Sequence, residues 1–279
     1  MLVFHAHCQL GNQMFIYACA RSLARQRGLS YCLSSLDTLE KYFELHTEDR
    51  NNKLRYNIFR LTNILPWSGY KFYHLQDNRH DYSSQMRREK SKNVWYYGYF
   101  QGKNYLFENS PDIQKAFTIK PEFRDKFLDF RKKHLQGEYI AVHIRLRDYR
   151  TFGPDFLDGP DLTLPLNYYR NILLEQKALF PDTPIIFLSD EIETVRQSFS
   201  DFPDAIFSEQ SPIVDFQILS SAKIAIISHS SFAWWASFLS TERTQKVIVP
   251  EYFLGFRVKK EFPVNIIHPD WEKREVTLS

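Results

Sequence analysis

Ten residues, "AVHIRLRDYR" (141–150), place His143, Arg145, Arg147 and Asp148 at the end of an otherwise apolar run. Side chains alternate across a strand. His143, Arg145 and Arg147 are therefore expected on one face, with Ile140, Val142, Ile144 and Leu146 on the other. Arginine donates paired hydrogen bonds to phosphate oxygens, so such a face suits a diphosphate. A half-exposed strand carrying an internal Arg–Asp ion pair would give the same pattern.

Two more apolar runs end in polar residues. "IIFLSDE" stops at Ser189 and continues with Asp190 and Glu191. A carboxylate there can accept from N1–H and the 2-amino group of guanine, or from ribose hydroxyls; acidic residues opening a helix look alike. "IAIISHSSFAWWAS" runs into Ser228, His229, Ser230 and Ser231 ahead of a helical stretch. N–H groups and hydroxyls at a helix start bind anions, although serine is also a favoured cap. Trp234 and Trp235 read as core support for that helix. "HAHC" (5–8) puts His5 and His7 on one strand face. Two further ligands are not apparent, so packing or substrate contact is expected there rather than a metal.

The elements that must position these residues follow from the pattern. "LVFHAHCQLGNQMFIYACARSLARQRGL" reads as strand, a turn at Gly11 and Asn12, then a helix ended by Gly28. "SYCLSS" is a second strand. Residues 39–93 are polar and irregular, although Trp67, Tyr70, Phe72 and Tyr73 imply packing. Phe123, Phe127 and Phe130 have helical spacing in "PEFRDKFLDFRKKHL". From Gln136 onward, apolar strands alternate with helices, which implies a mostly parallel sheet covered on both faces. A boundary near Gln136 divides the chain into 1–136 and 137–279. Parallel α/β sheets bind ligands at the carboxyl ends of their strands, where the three polar run-outs fall.

Composition narrows the classes. With 279 residues the chain suits one large or two modest α/β domains. The net charge of +3, from 36 basic and 33 acidic residues, is too small for a nucleic-acid surface. No stretch reaches the roughly 18 apolar residues of a membrane span. A pI near 8.6 permits peripheral membrane association. Cys8, Cys19 and Cys32 form no disulfide pattern, and no apolar leader opens the sequence, so a cytoplasmic protein is expected. Aromatic residues at 16% fit a large core and also sugar recognition.

Six segments in order resemble glycosyltransferase family 11, the α-1,2-fucosyltransferases. They are "LGNQMFIYACARSLA", "GYFQGKNYLFENSPDIQKAFTIKP", "VHIRLRDY", "LPLNYYRNIL", "FLSDE" and "SHSSFAWWASFL". The resemblance implies a GT-B-like α/β fold of two Rossmann-type domains whose parallel sheets face a central cleft. Residues 1–136 would be the acceptor side and 137–279 would bind GDP-fucose. It further implies that Arg145 grips the donor pyrophosphate with His143 and Arg147 beside it. Asp190 would contact guanosine, and Ser230, Ser231 and Phe232 would present a helix start to phosphate. Gly11, Asn12 and Gln13 would close the cleft.

The expected reaction is inverting transfer of L-fucose to the 2-hydroxyl of a galactose-terminated acceptor. Arg145 and Asp148 are the candidate catalytic residues. Asp148 is open between general base and orienting partner of Arg145. No cofactor or metal beyond the donor is expected, since the chain has no Asp-x-Asp clamp. Another fucosyl linkage, or a non-catalytic sugar- or nucleotide-binding protein, are the alternatives. The family usually reads His-x-Arg-Arg-Gly-Asp-Tyr. Here Leu146 stands for the second arginine and Arg147 for the glycine, so Arg147 is a candidate to restore the charge. Cys8 and Gln9 replace a usual pair of glycines.

Overall fold

Two all-parallel sheets organise the computed structural model, which describes residues 1–45, 49, 51–63, 69–107, 110–240 and 245–278. The chain divides into two compact units: Met1–Lys120 with Pro263–Ile266, and Pro121–Phe262 with Ile267–Ser279.

The first unit holds β1 (Leu2–Phe4), α1 (Leu10–Arg27), β2 (Tyr31–Leu33), α2 (Asp37–Tyr42), α3 (Asn52–Asn63), β3 (Lys71–Leu75), α4 (Ser83–Arg88), β4 (Val94–Gly98) and α5 (Ser110–Ala116). Its sheet order is β2-β1-β4-β3, so the chain leaves β1 to one side and later returns on the other. Buried on almost every side from Leu10 to Ala24, α1 lies within this core. Gly28 ends it at φ +60, and its N–H bonds back to Ala24 and Arg25 carbonyls as a left-handed cap does.

Gly11 and Asn12 do not make the expected turn. The helix already begins at Leu10, and the reversal of direction is made by Cys8 at φ +62. Cys8 thus holds the left-handed conformation that glycine adopts most readily.

The segment 39–93 contains α3, β3 and α4 rather than irregular chain. It is tied in by polar groups. Asp49, 3% exposed, accepts hydrogen bonds from Tyr17 Oη at 2.7 Å and Tyr31 Oη at 2.6 Å. Tyr70, Phe72 and Tyr73 pack as expected through their rings, whereas Trp67 lies outside the described residues.

The second unit holds α6 (Pro121–His134), β5 (Ile140–Ile144), α7 (Leu166–Leu179), β6 (Ile185–Ser189), α8 (Ile192–Ser198), β7 (Ile206–Phe207), α9 (Pro212–Ser220), β8 (Ile224–Ile227), α10 (Ser231–Phe238), β9 (Lys246–Pro250) and β10 (Glu272–Arg274). Its sheet order is β10-β9-β8-β5-β6-β7. From β5 the chain winds outward through β6 and β7, then crosses back to β8 on the other flank. The gap between the carboxyl ends of β5 and β8 is therefore a topological switch point.

This unit begins at Pro121 rather than near Gln136. The reason is packing: α6 buries Phe127 and lies against α9, where Gln217 Nε2 donates to the Phe123 carbonyl at 3.0 Å. Trp234 and Trp235 are both fully buried, meeting edge to face at 5.2 Å, as core support requires.

Candidate functional site

Strand β5 delivers the arginine turn, but it ends at Ile144, three residues before the last member of the expected face. All five of its residues are buried, and the chain leaves the sheet after Ile144. Arg145 and Leu146 belong to neither strand nor helix, Arg147 turns at φ −37, ψ −78, and Asp148–Arg150 form one 3-10 turn. His143, Arg145 and Arg147 therefore do not share a strand face. That correction matters because Arg145 now projects from a loop, whose position must be fixed by its own contacts.

The residues after β6 supply those contacts. Asp190 Oδ1 accepts the Leu146 N–H at 3.0 Å, and Asp190 Oδ2 stands 3.3 Å from Arg145 Nε. Arg147 Nη2 donates to the Asp190 carbonyl at 2.8 Å. Arg150 pairs both its Nη atoms with Glu191, at 3.0 and 2.7 Å. Asp190 thus faces the arginine turn rather than open space. Arg147 is exposed and engaged by that backbone carbonyl. Leu146 is buried, 5% exposed, and anchors the turn through its side chain.

Arg145 itself is held from the other side by Asp148, whose Oδ1 accepts from Nε at 2.8 Å. Burial alone would lower the guanidinium's pKa. The hydrogen bond to Asp148 and the charges of Asp190 and Asp148 outweigh it and hold the pKa above its ordinary value. Its guanidinium also lies 5.9 Å from the centre of the Tyr149 ring. The result is a permanently charged group, 22% exposed, aimed by two carboxylates.

Strand β8 ends beside this turn and hands the chain to α10. His143, at 7% exposure, bridges the two strand ends: its Nδ1 lies 2.9 Å from Ser228 Oγ, and its ring stacks on Phe232 at 5.6 Å. Burial first, then the charges of Arg145 and His229, pushes the His143 pKa down to about 3. Burial thus favours the neutral form of this imidazole. His229 is likewise buried, with Nε2 donating to the Leu162 carbonyl at 2.6 Å, and burial lowers its pKa to about 4.

Ser230 caps α10 by position only, since its hydroxyl makes no bond to the helix. The first-turn N–H groups around Ser231 and Phe232 therefore lack a side-chain cap, in a helix with no acidic residue in its first turn. Such a start carries partial positive charge and suits an anion.

His143, Arg145, Arg147, Asp148, Asp190, Ser230, Ser231 and Phe232 thus gather at the carboxyl ends of β5, β6 and β8. Gly11, Asn12 and Gln13 lie in the first unit, in the opening turn of α1. There Gln13 Nε2 donates to the Cys8 carbonyl at 2.8 Å, and Asn12 Oδ1 accepts from Gln101 Nε2 at 2.8 Å. Gln101 and its partner Asn78, 3.2 Å away, were not singled out by sequence pattern; the Gly-Tyr-Phe-Gln segment was the available signal for Gln101. Ser228 and Arg150 were also missed as positioning groups. Neighbouring polar residues at a strand end were their only mark.

His5 and His7 follow β1 and stack on each other at 5.8 Å, while His7 lies flat on Tyr97 at 5.1 Å. Both rings take part in aromatic packing. Burial and the nearby His7 lower the His5 pKa.

The sequence pattern described as glycosyl transferase family 11 matches residues 1–273. The O-antigen biosynthesis glycosyltransferase WbnK of Escherichia coli is 22% identical, over 88% of this chain and 93% of its own. An alpha-1,2-colitosyltransferase of Escherichia coli is 28% identical, over 86% and 88%. Galactoside alpha-(1,2)-fucosyltransferase 2 of Mus musculus is 25% identical, over 83% and 66%. Among solved structures, fucosyltransferase NodZ from Bradyrhizobium superposes with a TM-score of 0.57 at 15% identity, covering 85% of this chain and 91% of its own. POFUT1 in complex with GDP-fucose gives 0.55 at 11% identity, covering 89% and 96%. These two likenesses show the fold, that of the GT-B fucosyltransferases. A family match over nearly the whole length, on a fold shared with sugar-nucleotide enzymes, identifies the chain as a glycosyltransferase belonging to glycosyl transferase family 11.

Proposed function

We propose that the protein transfers L-fucose from GDP-β-L-fucose to the 2-hydroxyl of a β-galactoside, with inversion at the sugar carbon and without a metal ion. The single observation that carries this reading is the pairing of a fixed arginine with an uncapped helix start at one switch point. The α-1,2 linkage draws support from the names of the relatives at 25–28% identity.

In the proposed step, the acceptor oxygen forms a bond to C1 of fucose as the bond from C1 to the β-phosphate oxygen breaks. GDP leaves with that electron pair, and the acceptor hydroxyl releases its proton. Negative charge grows on the β-phosphate during this exchange. Arg145 and the first N–H groups of α10, at Ser231 and Phe232, offset it, and both are in place before the reaction begins. Preorganised donors of this kind contribute roughly 10²–10³ each in turnover. Asp148 and Asp190 act on Arg145, fixing its direction. His143 keeps β5 and β8 in register at the site. Three unpaired thiols, Cys8, Cys19 and Cys32, fit a reducing compartment such as the cytoplasm.

A second donor deserves a direct test because a 28% identical relative is named for colitose, a deoxy relative of fucose. Purified protein is incubated with lactose, EDTA and either GDP-fucose or GDP-colitose, and the product linkage is read by NMR. An α-1,2-fucosyl product establishes the first reading. An α-1,2 product from GDP-colitose alone replaces the sugar and keeps the linkage. GDP released without a glycoside means that lactose is the wrong acceptor. GDP neither bound nor released contradicts the assignment.

A further inference from the structure

We propose that helix α3 is a docking face for an anionic lipid surface. Its exposed side is apolar where a soluble helix is normally polar. Leu54, Ile58 and Leu61 stand on one face at successive turns and are 60%, 50% and 69% exposed. The opposite face is the one that binds the fold: Asn52 and Phe59 are 7% and 3% exposed, and Asn52 pairs with the Leu33 backbone. At 3.6 residues per turn the three aliphatic side chains therefore point straight out from the sheet. The buried face is held by rings, with Phe59 against Trp95 at 5.3 Å and Trp95 against Phe72 of the edge strand β3 at 4.8 Å.

Charge decides what covers this face. Lys53 and Arg60 are exposed on α3 to one side of the aliphatic row, and Arg55 lies on the other with Nη1 donating to the Tyr31 carbonyl. The helix contains no Asp or Glu. A convex row of three aliphatic groups is too narrow for a stable protein interface, which needs roughly 800 Å² per partner. It does match an interfacial helix, whose apolar row enters the headgroup boundary while flanking cations meet lipid phosphates. No helix among the described residues is long and apolar enough to cross a membrane, so the association is peripheral.

The test is sedimentation of the full chain with vesicles of phosphatidylethanolamine and phosphatidylglycerol in a 7:3 ratio, against vesicles of phosphatidylcholine alone. Binding is expected on the anionic vesicles, weaker by about tenfold or more on the neutral ones and in high salt. The variants Lys53→Glu/Arg60→Glu and Leu54→Ser/Ile58→Ser/Leu61→Ser each reduce it by about tenfold or more. Their melting temperatures stay at the wild-type value because all five side chains are exposed. Absence of binding to anionic vesicles, or binding that both variants retain, overturns the proposal. So does a wild-type dimer in sedimentation velocity that the serine variant dissolves, since the face would then join two copies of the chain.

Discussion

Asp190 holds Arg145 by two routes at once: Oδ2 faces Nε at 3.3 Å, while Oδ1 binds the N–H of the next residue, Leu146, at 3.0 Å. One carboxylate thus sets both the charge partner and the backbone path of the arginine. This makes the loop after β5 as well determined as a strand end, although it belongs to no sheet.

Asp190→Ala is expected to destabilise the protein by about 1–3 kcal/mol, because the N–H of the buried Leu146 loses its side-chain acceptor. Turnover falls with it, by about tenfold or more, since Arg145 is released on one side. Asp190→Asn keeps an oxygen for the N–H and should restore most of the stability but little of the turnover. Thermal melts beside steady-state kinetics separate the two effects. Full activity in the alanine variant would show that Arg145 does not depend on this joint.

His143 and His229 make the fold sensitive to acid. Their pKa values of about 3 and about 4 lie below the value near 6.5 of an unfolded histidine. Below pH 6.5 the unfolded chain takes up protons that the fold refuses. Stability is therefore complete above that pH and is lost as the pH falls toward 4. Each imidazole contributes up to about 1.4 kcal/mol per pH unit in that window. His143→Gln, which can still bond Ser228, should flatten the decline in melting temperature between pH 7 and pH 4.5. An unchanged slope would mean that His143 is charged in the fold.

Asp215 has the opposite sign. Burial, partly offset by a 2.5 Å hydrogen bond from Ser208 Oγ, raises its pKa to about 7. The folded carboxyl keeps its proton more tightly than the unfolded one, so its contribution is full below pH 4 and is lost as pH rises through 7. Asp215→Asn should raise the melting temperature by several degrees at pH 8 and change it little at pH 4. Equal effects at both pH values would rule out this titration.

His143→Ala removes the group that joins β5 to β8 and α10. Loss of a buried ring and of the Ser228 contact is expected to cost about 2–4 kcal/mol. The kinetic signature is a higher KM for the donor, because α10 loses its register with Arg145. A variant with normal stability and donor affinity would show that the bridge is incidental.

Much of this architecture was legible in the sequence because β5, β6 and β8 are largely apolar runs that give way to polar residues. Ile144, Ser189 and Ile227 end their strands within a residue or two of the predicted stops. The double tryptophan was equally clear, since two adjacent large rings have few places but the core. Arg147 was misplaced because alternation was carried past the end of β5, where the backbone had already turned. Gly11 was misread as a turn residue because glycine usually marks one; here Cys8 carries the positive φ and glycine enters the helix. In α3 the most regular apolar spacing, Leu54–Ile58–Leu61, is the face turned away from the core. Sequence pattern reports that a face is apolar and says nothing about which surface covers it. The boundary at Gln136 put α6 in the first unit because the Phe123–Phe127–Phe130 spacing marks a packing face and does not say which element it packs on.

The central claim is that Arg145 stabilises the leaving diphosphate, and turnover of Arg145→Ala tests it most directly. Measured with saturating GDP-fucose and acceptor, alongside GDP affinity and melting temperature, turnover is predicted to fall by roughly 10²–10³ while the fold persists. A folded Arg145→Ala protein with near-wild-type turnover would contradict the account.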